Sequence, residues 1–126
     1  MDRQRVISLG EEFDKLTFLP DRRPESTNTE TYFASLADYR DGAIFVSNFA
    51  GNSEWERHRS GDEVVLVVEG ETTLVLLLDG EEVPNVLTAG ELVVVPKATW
   101  HRFESKNGVK LMTVSPQPTD HAAGLP

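Results

Sequence analysis

The sequence predicts an all-β fold, either a closed barrel or a sandwich of two sheets. From Ala43 onward the chain falls into short apolar runs rich in β-branched residues. Turn residues separate these runs at intervals of roughly eight to twelve residues, which is typical of barrels and sandwiches. No segment after Gly42 keeps a helical period over about ten residues. Because the runs are apolar at successive positions, we expect both faces of the strands to be covered.

Seven strands follow from these runs. Asp79-Gly80 is a strong two-residue hairpin signal, and Glu69-Gly70 and Asn107-Gly108 are likewise interpreted as turns that end strands. The predicted strands are residues 43–49, 64–68, 72–78, 83–87, 92–95, 101–103 and 109–114.

The length of 126 residues suits a single domain with its own core. We expect residues 1–31 to form an N-terminal extension and loop, which could include a short strand or one helical turn packed on the body. Residues 43–115 are expected to form the barrel. Residues 116–126 contain prolines and a glycine without periodicity, and they predict an irregular tail.

Composition excludes several kinds of partner and site. The chain has no cysteine, so a metal would have to be held by imidazole, carboxylate or water. Its net charge of −9 argues against nucleic acid or an anionic membrane surface as partner. A small anionic ligand remains compatible, since a bound metal can reverse the local field. No signal peptide or transmembrane helix is visible, which favours a cytoplasmic location.

The stretch from Trp55 to Glu63 carries the first candidate site residues. Along a strand, Glu56 and His58 share one face. The turn that follows at residues 60–62 would fold the chain back and bring Glu63 near His58. A charge inside an apolar barrel wall needs a partner or a metal.

A second stretch supplies another imidazole. A buried strand ends at Pro96, and His101 opens the next strand. If His101 points inward, two imidazoles and one carboxylate form a set that suits iron(II), manganese, nickel or zinc with coordination positions open to substrate. The alternative is a hydrogen-bonded polar cluster without metal.

Both stretches resemble the two motifs of the cupin superfamily. The first motif contains His-x-His, then Glu after three or four residues and Gly after six more, and His58, Glu63 and Gly70 match its second half. The second contains Gly, Pro and His, matched by Gly90, Pro96 and His101. The resemblance spans about residues 50–105 and implies a small monocupin, a double-stranded β-helix of jelly-roll type that is often a homodimer.

The sequence departs from the motifs at several positions. Glu56 stands in place of the first histidine, the leading glycine is displaced to Gly51, and Ala98 and Ser105 replace a glycine and an asparagine. With Glu56 as a fourth ligand, the site would hold a divalent ion in a charge-neutral set. Glu56 could instead be a general base or a rim carboxylate.

These residues predict a metal centre on His58, Glu63, His101 and Glu56 that acts on a small oxygenated molecule. The first hypothesis is a metal-dependent enzyme, with Glu56 as catalytic residue; the reaction type stays open among oxygenase, isomerase and lyase. The alternatives are a non-catalytic module that binds or senses a small molecule, with or without metal, and a structural role. His121, in the predicted tail, is expected to be a solvated side chain.

Overall fold

A computed structural model describes residues 5–27 and 29–126. Residues 1–4 and 28 of the predicted N-terminal extension lie outside the described residues. Strands dominate the rest, which confirms the all-β prediction. The elements are helices α1 (Leu9–Asp14) and α2 (Thr29–Tyr32) and strands β1 (Leu19–Arg22), β2 (Phe33–Tyr39), β3 (Gly42–Asn52), β4 (Trp55–His58), β5 (Glu63–Leu78), β6 (Glu81–Thr88), β7 (Leu92–Val95), β8 (His101–Pro116) and β9 (Thr119–Ala122).

Two pairs of predicted strands are each one continuous strand. β5 runs for 16 residues through Glu69-Gly70, and β8 runs for 16 residues through Asn107-Gly108. The two turn predictions were wrong because Gly70 and Gly108 bend the strands without ending them. Both glycines have positive φ, and a Cβ on Gly70 would lie 2.3 Å from the Gly108 carbonyl oxygen. The absence of a side chain on Gly70 therefore lets β5 lie closer to β8 at this point than a Cβ would allow.

β8 lies between β3 and β5 and pairs antiparallel with both. Its first residue, His101, also pairs with Glu56 of β4. β5 pairs with β6 along its second half and with β7 along its first half. This arrangement brings the end of β4 and the starts of β5 and β8 together.

Two backbone turns explain local features of the sequence. Asp79 and Gly80 both have positive φ, of 51° and 79°, so the predicted hairpin turn between β5 and β6 is confirmed. Ala98, which stands where the second motif has glycine, has a φ of 63°. A glycine at that position would adopt this left-handed conformation without the steric cost that Ala98 bears.

The core lies inside the barrel, and a smaller apolar cluster lies outside it. Leu74, Phe49, Val65 and other fully buried side chains fill the interior. Phe13 of α1 packs with side chains of β2 and β3 in the outer cluster. The sequence predicted either a short strand or one helical turn in the N-terminal extension. The structure has both: the helix α1 packs on the body, and the strand β1 pairs parallel with β3.

The expectation of an irregular tail was wrong for residues 119–122. These residues form β9, which pairs antiparallel with β4 from Trp55 to His58. Arg57 and Arg59 hold this strand through Asp120, at 3.0 and 2.7 Å. A short edge strand of mostly polar residues lacks the alternation of apolar and polar residues that predicts a strand, so β9 could not be predicted from the sequence. In the described part of the chain, no helix has both the length and the apolar character needed to span a membrane.

Candidate metal centre

His58, Glu63 and His101 meet inside the barrel, as the sequence predicts. His58 ends β4, a turn reverses the chain, and Glu63 begins β5, while His101 begins β8. Glu63 Oε2 lies 3.0 Å from His58 Nε2, and Glu63 Oε1 lies 2.9 Å from His101 Nε2. All three side chains are buried, and each offers one ligand atom within 4.8 Å of the other two.

Three buried atoms in this group have no hydrogen-bond partner. They are His58 Nε2, Glu63 Oε1 and His101 Nε2. The short contacts to Glu63 have the distances of ion pairs but not the direction of ring N–H donation. Buried polar atoms in native proteins are nearly always paired, so three unpaired atoms at one place need a common partner. Ligand atoms that surround one ion at about 2.1 Å lie roughly 3 Å apart at right angles, which fits the observed separations.

The other ring nitrogen of each histidine is held by a neighbouring oxygen. His101 Nδ1 lies 3.0 Å from the Thr99 carbonyl oxygen, which can only accept, so Nδ1 carries a proton and Nε2 is the nitrogen whose lone pair a metal would use. His58 Nδ1 lies 3.1 Å from the Thr119 hydroxyl. Such outer contacts orient histidine ligands in metal centres. The donor set therefore fits a divalent ion.

The Glu63 carboxylate is oriented from a third direction. The Ser115 hydroxyl donates to Glu63 Oε2 at 2.5 Å, and the Thr113 hydroxyl lies 3.0 Å from that of Ser115. Burial by itself would raise the pKa of Glu63, but the contacts with His101 and His58 outweigh it and lower that pKa to about 2. Glu63 is therefore a carboxylate at neutral pH, as a metal ligand must be.

The charges around the group shift two further pKa values. Burial opposes the charged form of His101, but the neighbouring Glu63 carboxylate outweighs burial and raises the pKa of this histidine. Burial is also the main cause that raises the pKa of Glu56, and the negative charge of Glu63 adds to it. Glu56 therefore binds a proton more readily than an ordinary glutamate.

A cavity of about 340 Å³ opens beside the three side chains. Glu56, His58 and Glu63 all line it, as expected from the shared strand face of Glu56 and His58. Glu56 is not part of the group of ligand atoms within 4.8 Å, so its role as fourth ligand or base stays a prediction. The remaining lining residues are Arg22, Thr29, Phe33, Phe45, Ser47, Glu54, Phe103, Leu111, Thr113, Ser115, Gln117, Thr119 and His121.

Several of these residues were missed by sequence reasoning. Ser115 and Thr119 contact two of the candidate ligands, yet lone hydroxyl residues in a chain give no specific signal. His121 is half exposed, as a solvated side chain would be, but it also lines the cavity, and its Nδ1 lies 2.6 Å from Glu54 Oε1. Its pairing with Glu56 across β4 and β9 would have been visible only if β9 had been recognised.

Comparison with known proteins identifies the class. The family model of the cupin domain matches residues 47–115, more than half of the chain, and the chain belongs to this family. The match includes His58, Glu63 and His101, so the predicted cupin barrel is confirmed.

Individual proteins are similar to this chain in sequence or in fold. The chain is 33% identical over 72 residues to the Bacillus subtilis protein YdbB, a match that covers 56% of this chain and 60% of YdbB. A cupin-2 domain protein from Shewanella frigidimarina has a similar structure, with a TM-score of 0.65 at 24% identity, over 89% of this chain and 95% of that one. Hydroquinone 1,2-dioxygenase from Sphingomonas, solved with 4-hydroxybenzoate bound, has a TM-score of 0.57 at 19% identity over 66% of this chain and 64% of the dioxygenase. The two structures share the fold with this chain.

Proposed function

We propose that this cupin is a metal-dependent enzyme that binds one divalent ion on His58, Glu63 and His101 and acts on a small oxygenated molecule in the adjoining cavity. One observation carries the proposal. Two imidazole nitrogens and a carboxylate oxygen, all buried and all without hydrogen-bond partners, converge beside a cavity large enough for a small molecule. A structural cluster would pair these atoms with one another, and a structural metal would be enclosed.

The chain supplies defined tasks around such an ion. Iron, manganese, nickel and zinc all suit this donor set, and a bound ion would polarise an oxygen atom of the substrate. Glu63 holds one negative charge, which offsets half of the charge of a divalent ion. Glu56, whose raised pKa favours proton uptake, is placed in the cavity wall where it can take a proton from a substrate or return one. Phe33, Phe45 and Phe103 limit water in the cavity.

Metal content is the direct test, and the third histidine supplies a matched control. Elemental analysis of protein purified without a histidine tag should find about one divalent ion per chain. His58→Ala and His101→Ala should each lose it, whereas His121→Ala should retain it, because His121 lies outside the converging group. Equal metal content in all four proteins would refute the metal centre.

Turnover separates an enzyme from a binding module. Phenols and hydroxy acids are screened with an oxygen electrode for oxygenase chemistry and by chromatography for isomerase or lyase products. Glu56→Gln should retain metal and bind the converted compound while losing turnover, if Glu56 transfers a proton. Binding without conversion across the screen would favour the non-catalytic module instead.

Homodimerisation belongs to the same proposal, because the family resemblance implies it. Leu92 and Val94 on β7 and Val86 on β6 are each more than half exposed, and a second copy could cover them. Light scattering coupled to gel filtration measures the mass. A mass of one chain, about 14.0 kDa, at all concentrations would contradict the dimer.

A further inference from the structure

Arg22 stands in the wall of the same cavity, where the metal centre does not use it. It is the last residue of β1, is partly buried and lines the cavity with His58 and Glu63. Its guanidinium carbon lies 4.5 Å from the centre of the Phe49 ring and 5.2 Å from that of Tyr32. Both rings are fully buried, so the guanidinium packs against two aromatic side chains that are held in place by the core.

The main chain of Arg22 is also fixed in place. Arg22 pairs with Gly51 of β3, and Gly51 has a φ of 110°. A Cβ at Gly51 would lie 2.3 Å from the Arg22 carbonyl oxygen and 2.6 Å from its nitrogen. The absence of a side chain at Gly51 therefore lets β1 lie close enough to bring Arg22 to the cavity.

Arg22 differs from its neighbours in lacking a carboxylate partner. Arg23 pairs with Asp21, and Arg57 pairs with Asp120. Among the ion pairs of residues 5–27 and 29–126, none within 4.0 Å involves Arg22. A guanidinium carries five N–H donors, and its fork matches the two oxygens of a carboxylate.

The nearby acidic residues do not use this positive charge at contact distance. Glu54 contacts His121 at 2.6 Å, and Glu63 contacts the two ligand histidines. Among the described residues, no ion pair within 4.0 Å joins Glu56 to Arg22 either. An incoming anion is therefore the partner that the guanidinium lacks.

The other walls define the rest of the ligand. Phe33 and Phe45 stack with ring centres 5.1 Å apart, and Phe103 and Leu111 also line the cavity. We propose that the cavity selects a small monocarboxylic acid with an apolar body, whose carboxylate pairs with Arg22. The inference rests on the proposed function, since it names the substrate class for the same cavity. It also explains how a chain of net charge −9 would accept an anion, because Arg22 and a bound divalent ion would together offset the negative charges of Glu54, Glu56 and Glu63 in the cavity wall.

Benzoate and benzamide form a matched pair of probes, because they have nearly the same shape and differ in charge. Isothermal titration of the metal-loaded protein should show benzoate binding at least about tenfold tighter than benzamide, as expected for a charge-assisted pair. Arg22→Met should remove most of this preference by weakening benzoate alone. Arg22→Lys should keep part of it, and Arg23→Met should leave both affinities unchanged, because Arg23 is exposed and paired with Asp21.

Each other outcome is informative. Equal affinities for the two probes in the unmodified protein, or no saturable benzoate binding up to about 10 mM, would overturn the proposal without any variant. Equal weakening of both probes by Arg22→Met would show a structural role only and would also overturn it. Metal content is measured on the same samples. Full metal without carboxylate preference refutes this inference alone, whereas carboxylate preference without metal refutes the metal centre alone.

Discussion

Replacement of Gly51 by alanine would place a methyl group against the main chain of Arg22. The new Cβ would meet the Arg22 carbonyl oxygen at 2.3 Å, and this oxygen must retreat by about 0.7 Å to reach the 3.0 Å below which Cβ contacts essentially never occur. The obstacle is backbone, so no side-chain rotation relieves it. β1 has to move away from β3, and Arg22 moves with it.

The loss of stability in Gly51→Ala has two parts, the backbone conformation and the displacement of β1, and a substitution at Gly90 measures the first part alone. An alanine held at a positive φ destabilises the folded state by about 1–2 kcal/mol. Alanine also lowers the conformational entropy of the unfolded chain relative to glycine, which offsets about 0.4–1 kcal/mol of this cost. Gly90 has a φ of 88°, and a Cβ added there would have no neighbour within 4 Å, so Gly90→Ala bears this first part only. Gly51→Ala adds the displacement of β1, which costs about 1–3 kcal/mol in the manner of an overpacked core. We expect a total of about 2–4 kcal/mol for Gly51→Ala and about 1 kcal/mol for Gly90→Ala.

Urea unfolding followed by circular dichroism measures both free energies, and benzoate titration of the folded variants reports on Arg22. The Gly51→Ala protein should lose about 4 °C of Tm per kcal/mol and bind benzoate more weakly, while Gly90→Ala leaves benzoate affinity unchanged. Equal destabilisation by the two substitutions would refute the reasoning, because it would mean that the contact with β1 costs nothing beyond the backbone conformation.

Three further predictions concern single side chains. Thr119→Val removes the hydroxyl that contacts His58 Nδ1 and should weaken metal binding about 10–100-fold in a chelator competition. Ala98→Gly relieves about 1–2 kcal/mol of left-handed strain and adds unfolded-state entropy, so it should raise the free energy of unfolding by a few tenths to about 1 kcal/mol in urea. Burial would raise the pKa of Asp120, but the contacts with Arg57 and Arg59 outweigh burial and lower that pKa. The loss of stability caused by Asp120→Asn should therefore be largest above pH 3.8 and should vanish as the pH falls through the lowered pKa.

The first of these predictions has a control variant in the chain, and each of the three has an outcome that would contradict it. Thr99→Val should leave metal affinity unchanged, because Thr99 contacts its histidine through the main-chain carbonyl. Comparable losses from Thr99→Val and Thr119→Val would contradict the orienting role of the hydroxyl. For Ala98→Gly, a decrease in stability would show that the strain is already relieved. For Asp120→Asn, an effect on stability that does not diminish at all as the pH is lowered below 3.8 would contradict a role of the charge.

The convergence of the three candidate ligands could be predicted because most of its constraints are local. Glu63 follows His58 across one short turn, so the spacing brings these two together. His101 follows a strand that Pro96 terminates, and it joins them if its side chain points inward. The bends at Gly70 and Gly108 could not be distinguished from hairpin turns, because a glycine after a polar residue looks the same in both. Only the pairing of β5 with β8, a contact between distant segments, decides between a bend and a turn.

The cavity walls were beyond sequence reasoning for a related reason. Arg22 reaches the cavity through parallel pairing of β1 with β3, and Thr119 reaches it through pairing of β9 with β4. Both contacts join segments far apart in the chain, and neither segment has an apolar alternation of its own. Single arginines and threonines are common on protein surfaces. Their residue types alone therefore do not predict a place in the cavity wall unless the pairing of β1 and β9 is known.

The bent strand β8 carries His101 at its start and Ser115 near its end, and both touch Glu63. One strand therefore supplies a candidate metal ligand and, beyond Gly108, the hydroxyl that contacts a second candidate ligand. A one-residue insertion or deletion at Gly108 would turn every later side chain of β8 to the opposite face while leaving His101 where it is. Such a change would remove the Ser115 hydroxyl from Glu63 and turn Val109 and Leu111 out of the core, so the length of this segment is set by the carboxylate and by the packing together.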